Sequence, residues 1–136
     1  MSLNLRRPPY RTYSITQLCH EFGATPRALR FYEEQGLLFP ARREMQRVYS
    51  YKDRARLALI MRGRRVGLSV AEIRDILDLY EEGGETAQNA HAIRVFQKRI
   101  DELLAQREAV DEAIEALKQA SVRLETRYFP EGSLPA

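Results

Sequence analysis

The chain has 136 residues, 44% apolar and 30% charged, with 22 Lys and Arg against 19 Asp and Glu for a formal net charge of +3. That is enough apolar material for one core, while the longest unbroken apolar run, residues 57–61, falls far short of the roughly 20 residues a membrane-spanning helix needs. The single cysteine, Cys19, excludes an intramolecular disulfide or a thiolate metal cage within one chain, and residues 1–9 have no apolar stretch of signal-peptide length, so a cytoplasmic protein is expected.

The elements follow in chain order. Residues 1–12, rich in Pro and Arg, are expected as an irregular basic arm. Ser14 and Gln17 fit a capping box, which opens a helix that ends by Phe22, with Gly23 as the turn. Thr25 is placed to cap a second helix, and Pro26 takes its first position, where the missing N–H costs nothing. That helix carries Arg27, Ala28, Leu29, Arg30, Phe31 and Tyr32 and stops by Gly36. Two short helices around a glycine turn predict a helix-turn-helix. Leu18 and Phe22 face inward, Leu29 and either Phe31 or Tyr32 pack back, and Thr25, Arg27, Ala28 and Arg30 are left on the outer face.

Helical periodicity is lost over residues 37–49, and Pro40 breaks the chain. Residues 37–39 and 47–49 are expected to pair as short strands around a basic tip, Arg42-Arg43-Glu44. Ser50 with Asp53 caps a third helix up to Val66, and Ser69 with Glu72 starts a fourth that reaches Tyr80 or Glu82. Gly83-Gly84 reads as a flexible joint before a last helix over residues 88–127. Along that helix Ile93, Phe96, Ile100, Leu103, Arg107, Val110, Ile114, Leu117, Ser121 and Leu124 recur at alternating steps of three and four. Such a heptad seam predicts a dimerising coiled coil. Residues 128–136 form a short, turn-rich tail in which Tyr128 and Phe129 are assigned to packing.

The net charge hides an asymmetry. Residues 1–67 hold 14 Lys and Arg against 5 Asp and Glu, an excess of +9; residues 68–136 hold 8 against 14, a balance of −6. A basic half joined to an acidic one points to a polyanion-binding module with a second task. A helix that exposes Arg27 and Arg30 has the size to enter a major groove, where Arg pairs bidentately with guanine. The basic segment around Arg42, Arg43 and Arg47 adds phosphate-binding charge.

Tyr13-Ser14-Ile15-Thr16-Gln17-Leu18, followed by Thr25-Pro26-Arg27-Ala28-Leu29-Arg30-Phe31-Tyr32-Glu33-Glu34-Gln35-Gly36-Leu37-Leu38, resembles the MerR family of bacterial transcription regulators. The likeness continues through Pro40-Ala41-Arg42, Arg47-Val48-Tyr49-Ser50 and Gly67-Leu68-Ser69-Val70-Ala71-Glu72-Ile73, about residues 13–80 in all. It implies a mainly α fold: a winged helix-turn-helix over residues 13–82, then a long antiparallel coiled-coil helix over residues 88–127 that joins two copies. It also implies double-stranded promoter DNA and RNA polymerase as partners, with regulation by bending and untwisting the promoter. By position, Thr25, Arg27 and Arg30 belong to the recognition helix, and Arg42 and Arg43 to a phosphate-touching wing. Tyr13, Tyr32, Arg47 and Tyr49 match positions that contact the DNA backbone or shape the wing. Phe31 and Gln46 depart from the family pattern, which often has Tyr at both. Details such as Asp53-Arg54-Ala55-Arg56-Leu57 are similar to a subgroup that controls branched-chain amino-acid and acyl-chain breakdown; the resemblance identifies no small-molecule effector.

No cofactor or metal is expected. Cys19 reads as a small buried hydrophobe, and His20 and His91 as surface residues without partner ligands. The alternatives are an architectural DNA-bending factor without a signal input and a protein-interaction adaptor on the same fold. The long dimer helix argues against the first and the retained arginines against the second. No nucleophile–base pair or phosphate loop is legible, so an enzyme is not expected.

The seam also predicts its own pairing. In a parallel pair Arg107 would meet its copy in the core, and two uncompensated buried charges are strongly destabilising. An antiparallel pair in which partner numbers sum to 217 matches Ile93 with Leu124, Phe96 with Ser121, Ile100 with Leu117, Leu103 with Ile114, and Arg107 with Val110.

Overall fold

The computed structural model describes residues 11–136, side chains at 80–84 excepted. The protein is mainly helical: β1 (Thr12–Ser14), α1 (Ile15–Phe22), α2 (Pro26–Glu34), β2 (Ala41–Arg43), β3 (Gln46–Ser50), α3 (Tyr51–Arg65) and α4 (Val70–Tyr128). The strands make one antiparallel sheet in the order β1-β3-β2. The chain divides into two compact units, residues 1–96 and 97–136.

Local signals placed the helix starts. Ser14 accepts from the Gln17 backbone while Gln17 accepts from Ser14 N–H, and Ser50 and Asp53 repeat the exchange. Ser69 and Glu72 do the same at the start of α4. Each box satisfies two backbone donors that a helix start otherwise leaves unpaired. Gly23 closes α1 with φ 65°, a left-handed cap that Gly adopts without a Cβ clash.

The core of the first unit gathers Leu18, Leu29, Leu37, Leu38, Tyr49, Leu57 and Ile60, all fully buried. Each such aliphatic side chain contributes about 1.5–3 kcal/mol of burial. Tyr32, not Phe31, packs back from α2, and Ala28 is half-buried against the core rather than on the open face. Gly63 lets α3 and α4 approach, since a Cβ there would stand 2.9 Å from Ile73 Cγ1.

Two further expectations change. The assigned arm gives up Thr12 to β1, which pairs with Ser50 of β3; its first ten residues lie outside the described part. Residues 37–39 are not a strand. Leu37 and Leu38 are both fully buried, and the backbone of Leu37 and Phe39 is committed elsewhere: Leu37 N–H donates to Tyr32 O, Leu37 O accepts from Arg56 Nε at 2.7 Å, and Phe39 N–H donates to Asp53 Oδ1 at 2.9 Å. The partner strand of β3 is therefore β2, with Arg42 opposite Arg47 and the turn at Glu44-Met45.

The backbone is helical over Val70–Tyr128, across the expected joint at Gly83-Gly84. Glycine in a helix costs only about 1 kcal/mol relative to alanine. The helix is nonetheless far from straight. The Gln88 side-chain amide donates to Ile76 O at 3.1 Å, although twelve positions of straight helix would separate the two by about 18 Å. The axis therefore turns sharply between Ile76 and Gln88, and beyond the turn Ala92 and Val95 are buried within the first unit. In the second unit the apolar residues Ile100, Leu103, Leu104, Val110, Ile114, Leu117, Val122 and Leu124 are exposed.

Candidate nucleic-acid interface

Thr25 sits at the N-cap of α2, its Oγ1 accepting from Ala28 N–H at 3.1 Å. Arg27 and Arg30 are exposed on the same helix, and among the described residues neither has an ion-pair partner. Arg42 and Arg43 are exposed on β2, and Arg47 is half-buried on β3. The remaining expected site residues lie in the core: Tyr13 and Tyr32 keep 7% exposure and Tyr49 none.

The electrostatics of the wing centre on a residue that local sequence signals do not mark. Glu33 of α2 accepts from Arg47 Nε at 2.7 Å and from Arg42 Nη2 at 3.2 Å. Its hydrogen bond is the largest cause holding the Arg47 guanidinium above its ordinary pKa. Arg54 likewise donates to both carboxylate oxygens of Glu21, which raises its pKa, and lies over the rings of Tyr13 and Phe22. Arg74 reaches Gln35 from α4, with Nε to the backbone O at 2.9 Å.

Asp53 and Arg56, both buried, clamp the segment between α2 and β2 through Phe39 N–H and Leu37 O, and Arg56 also stacks over the Phe39 ring. Asp53 was legible as a cap; its second bond, fourteen positions away, was not. Glu33, Arg54 and Arg74 make contacts nine to thirty-nine positions apart, beyond any helical or strand period.

Burial pushes the Cys19 thiol up, opposed by the nearby Arg30 charge, and pushes the Tyr49 phenol up. Among the described residues no three His, Cys, Asp or Glu side chains stand together as a metal site, and no helix is long and apolar enough to cross a membrane.

The chain is 29% identical over 109 residues to a helix-turn-helix-type transcriptional regulator of Pseudomonas aeruginosa, covering 75% of this chain and 83% of that one. It is 33% identical over 98 residues to heavy metal-dependent transcription regulator 1 of Rhizobium meliloti, covering 71% of this chain and 65% of that protein. Its fold is similar to that of HiNmlR, a MerR family regulator lacking the sensor domain and bound to promoter DNA. The TM-score is 0.60 at 21% identity, covering 92% of this chain and 98% of that one.

Residues 13–80, the part that holds α2 and the wing, match the model of MerR HTH family regulatory proteins, and residues 54–124 match the MerR DNA-binding model. A helix-turn-helix that exposes two arginines beside a basic hairpin, matched across half the chain, places this protein in the MerR family of transcription regulators.

Proposed function

We propose that the protein is a homodimeric, sequence-specific regulator that binds promoter DNA, distorts it, and so governs its use by RNA polymerase. The observation that carries this is α2, which exposes Arg27 and Arg30 next to the arginines of the β2–β3 hairpin. In this reading residues 13–82 are the DNA-binding domain. Thr25 starts the recognition helix, Arg27 and Arg30 read base edges, and Arg42, Arg43 and Arg47 hold phosphates. Of the two roles implied for Tyr13, Tyr32 and Tyr49, burial supports shaping the wing.

One chain carries one recognition helix, so a two-fold dimer is what gives two half-sites at a set spacing. Residues 88–127 supply it through the exposed seam. A dimer of fixed spacing on a site of different spacing must deform the duplex, and sequences that deform easily are favoured. The Rhizobium relative's name makes it heavy metal-dependent; here one cysteine and no His beyond His91 leave these 136 residues without a thiolate or imidazole donor set.

Footprinting and a bend assay on the DNA upstream of the protein's own coding region test the proposal. Protection of a site with two-fold symmetry, with bending, is the expected result. Binding without sequence preference would favour the architectural alternative, and no binding would favour the adaptor.

A further inference from the structure

Glu33 belongs to α2, yet its carboxylate serves the hairpin. Arg42 and Arg47 are register partners across β2 and β3, so their side chains leave the same face of the sheet, where like charges repel. One carboxylate from another element receives both, at 3.2 and 2.7 Å. The Glu33 and Arg47 side chains are only 25% and 24% exposed, so solvent screens this pair less than an open surface bridge. Each arginine spends part of its fork on Glu33 and keeps further N–H donors of its five.

We propose that Glu33 is a positioning residue for DNA selection: it fastens the wing arginines Arg42 and Arg47 to the recognition helix, so base-reading and phosphate-holding groups meet the duplex in one fixed relation. The inference rests on the DNA-binding reading above. Untethered arginines reach phosphates in many poses, and those poses exist on any duplex. Tethered ones grip where Arg27 and Arg30 are in register with the right bases. A carboxylate that merely repelled phosphate would weaken every duplex alike, which separates the two accounts.

The test uses the full chain, with the footprinted upstream site and a random-sequence duplex of equal length as probes. Glu33→Gln and Glu33→Ala are each compared with the parent, alone and together with Arg42→Ala and Arg47→Ala. Glu33→Gln keeps the side chain's shape, and thermal melting checks each variant's fold. Glu33→Gln is expected to tighten random-duplex binding about five-fold with little gain on the site, so the ratio of the two Kd values falls about five-fold, and to steepen the random-duplex salt slope by about one unit. In the Arg42→Ala, Arg47→Ala background the same change is expected to leave the ratio where it was. Equal shifts on both duplexes, or an undiminished loss of ratio without the two arginines, would overturn the inference while leaving DNA binding standing. A parent chain with no preference between the duplexes would overturn the DNA-binding reading itself.

Discussion

Tyr49 is fully buried in β3, and its hydroxyl has no hydrogen-bond partner among the described residues. A buried donor without a partner costs about 1–3 kcal/mol, so Tyr49→Phe is expected to stabilise the fold by about 1 kcal/mol in denaturant titrations. Burial also raises the folded pKa of the phenol. A raised acid favours the protonated, folded form below the unfolded value of about 10, and that stability is lost as pH rises beyond it. Alkaline unfolding should therefore be shallower in Tyr49→Phe; a steeper profile in the variant would contradict the assignment. Among the exposed arginines, Arg27→Ala or Arg30→Ala should cost about 1–3 kcal/mol on the specific site alone. Arg43→Ala should weaken specific and random DNA alike and reduce the salt slope by about one unit. If all three variants lost equally on both duplexes, their separate roles would be wrong. Cys19 is partly buried with its thiol raised, so Cys19→Ala, like added chelator, should leave DNA affinity unchanged in gel-shift titrations.

At the scale of elements, the hairpin carries the most legible tension. Glu44 and Met45 hold φ of 53° and 69° at the turn between β2 and β3, the left-handed region that Asn-Gly occupies more readily. Left-handed backbone costs an ordinary residue roughly 1–2 kcal/mol. The double change Glu44→Asn with Met45→Gly should thus raise the melting temperature, by the equivalent of about 1 kcal/mol. A lower melting temperature would mean that Glu44 or Met45 makes a compensating contact. The absence of an Asn-Gly signal also explains why the sequence suggested a wider hairpin that started from residues 37–39. Capping boxes, by contrast, close over three residues, and all three anticipated ones form.

At the scale of the whole molecule, the proposed dimer rests on the exposed seam. Ile93 and Phe96 in the first unit and Ile100, Leu103, Val110, Ile114, Leu117 and Leu124 in the second are each at least 41% exposed. A helical stripe of this length, left to water, is a strong drive to association. In the proposed antiparallel register, in which numbers sum to 217, Ile100 would lie beside the partner's Leu117. Chains carrying Ile100→Cys and Leu117→Cys should therefore cross-link between those two positions under mild oxidation. Cross-links only between identical positions would indicate a parallel pair. Leu103→Asp should yield monomers by light scattering and abolish site binding, whereas Arg107→Leu should keep the dimer.

What the amino-acid order determined by itself was whatever depends on near neighbours. Caps, the glycine turn after α1, the helical faces of Leu18, Leu29, Arg27 and Arg30, and the heptad seam all repeat within a few positions. Those periods are properties of one helix and need no partner. Tertiary structure decided what distant residues do to one another. It took Leu37 out of a strand by spending its backbone on Tyr32 and Arg56, buried Leu38 and Tyr49, recruited Thr12 to the sheet, and brought Glu33 to two arginines nine and fourteen positions on. It also turned the last helix between Ile76 and Gln88. Such contacts form because one packed core has to satisfy every buried polar group at once, and no local pattern records which remote partner will do it.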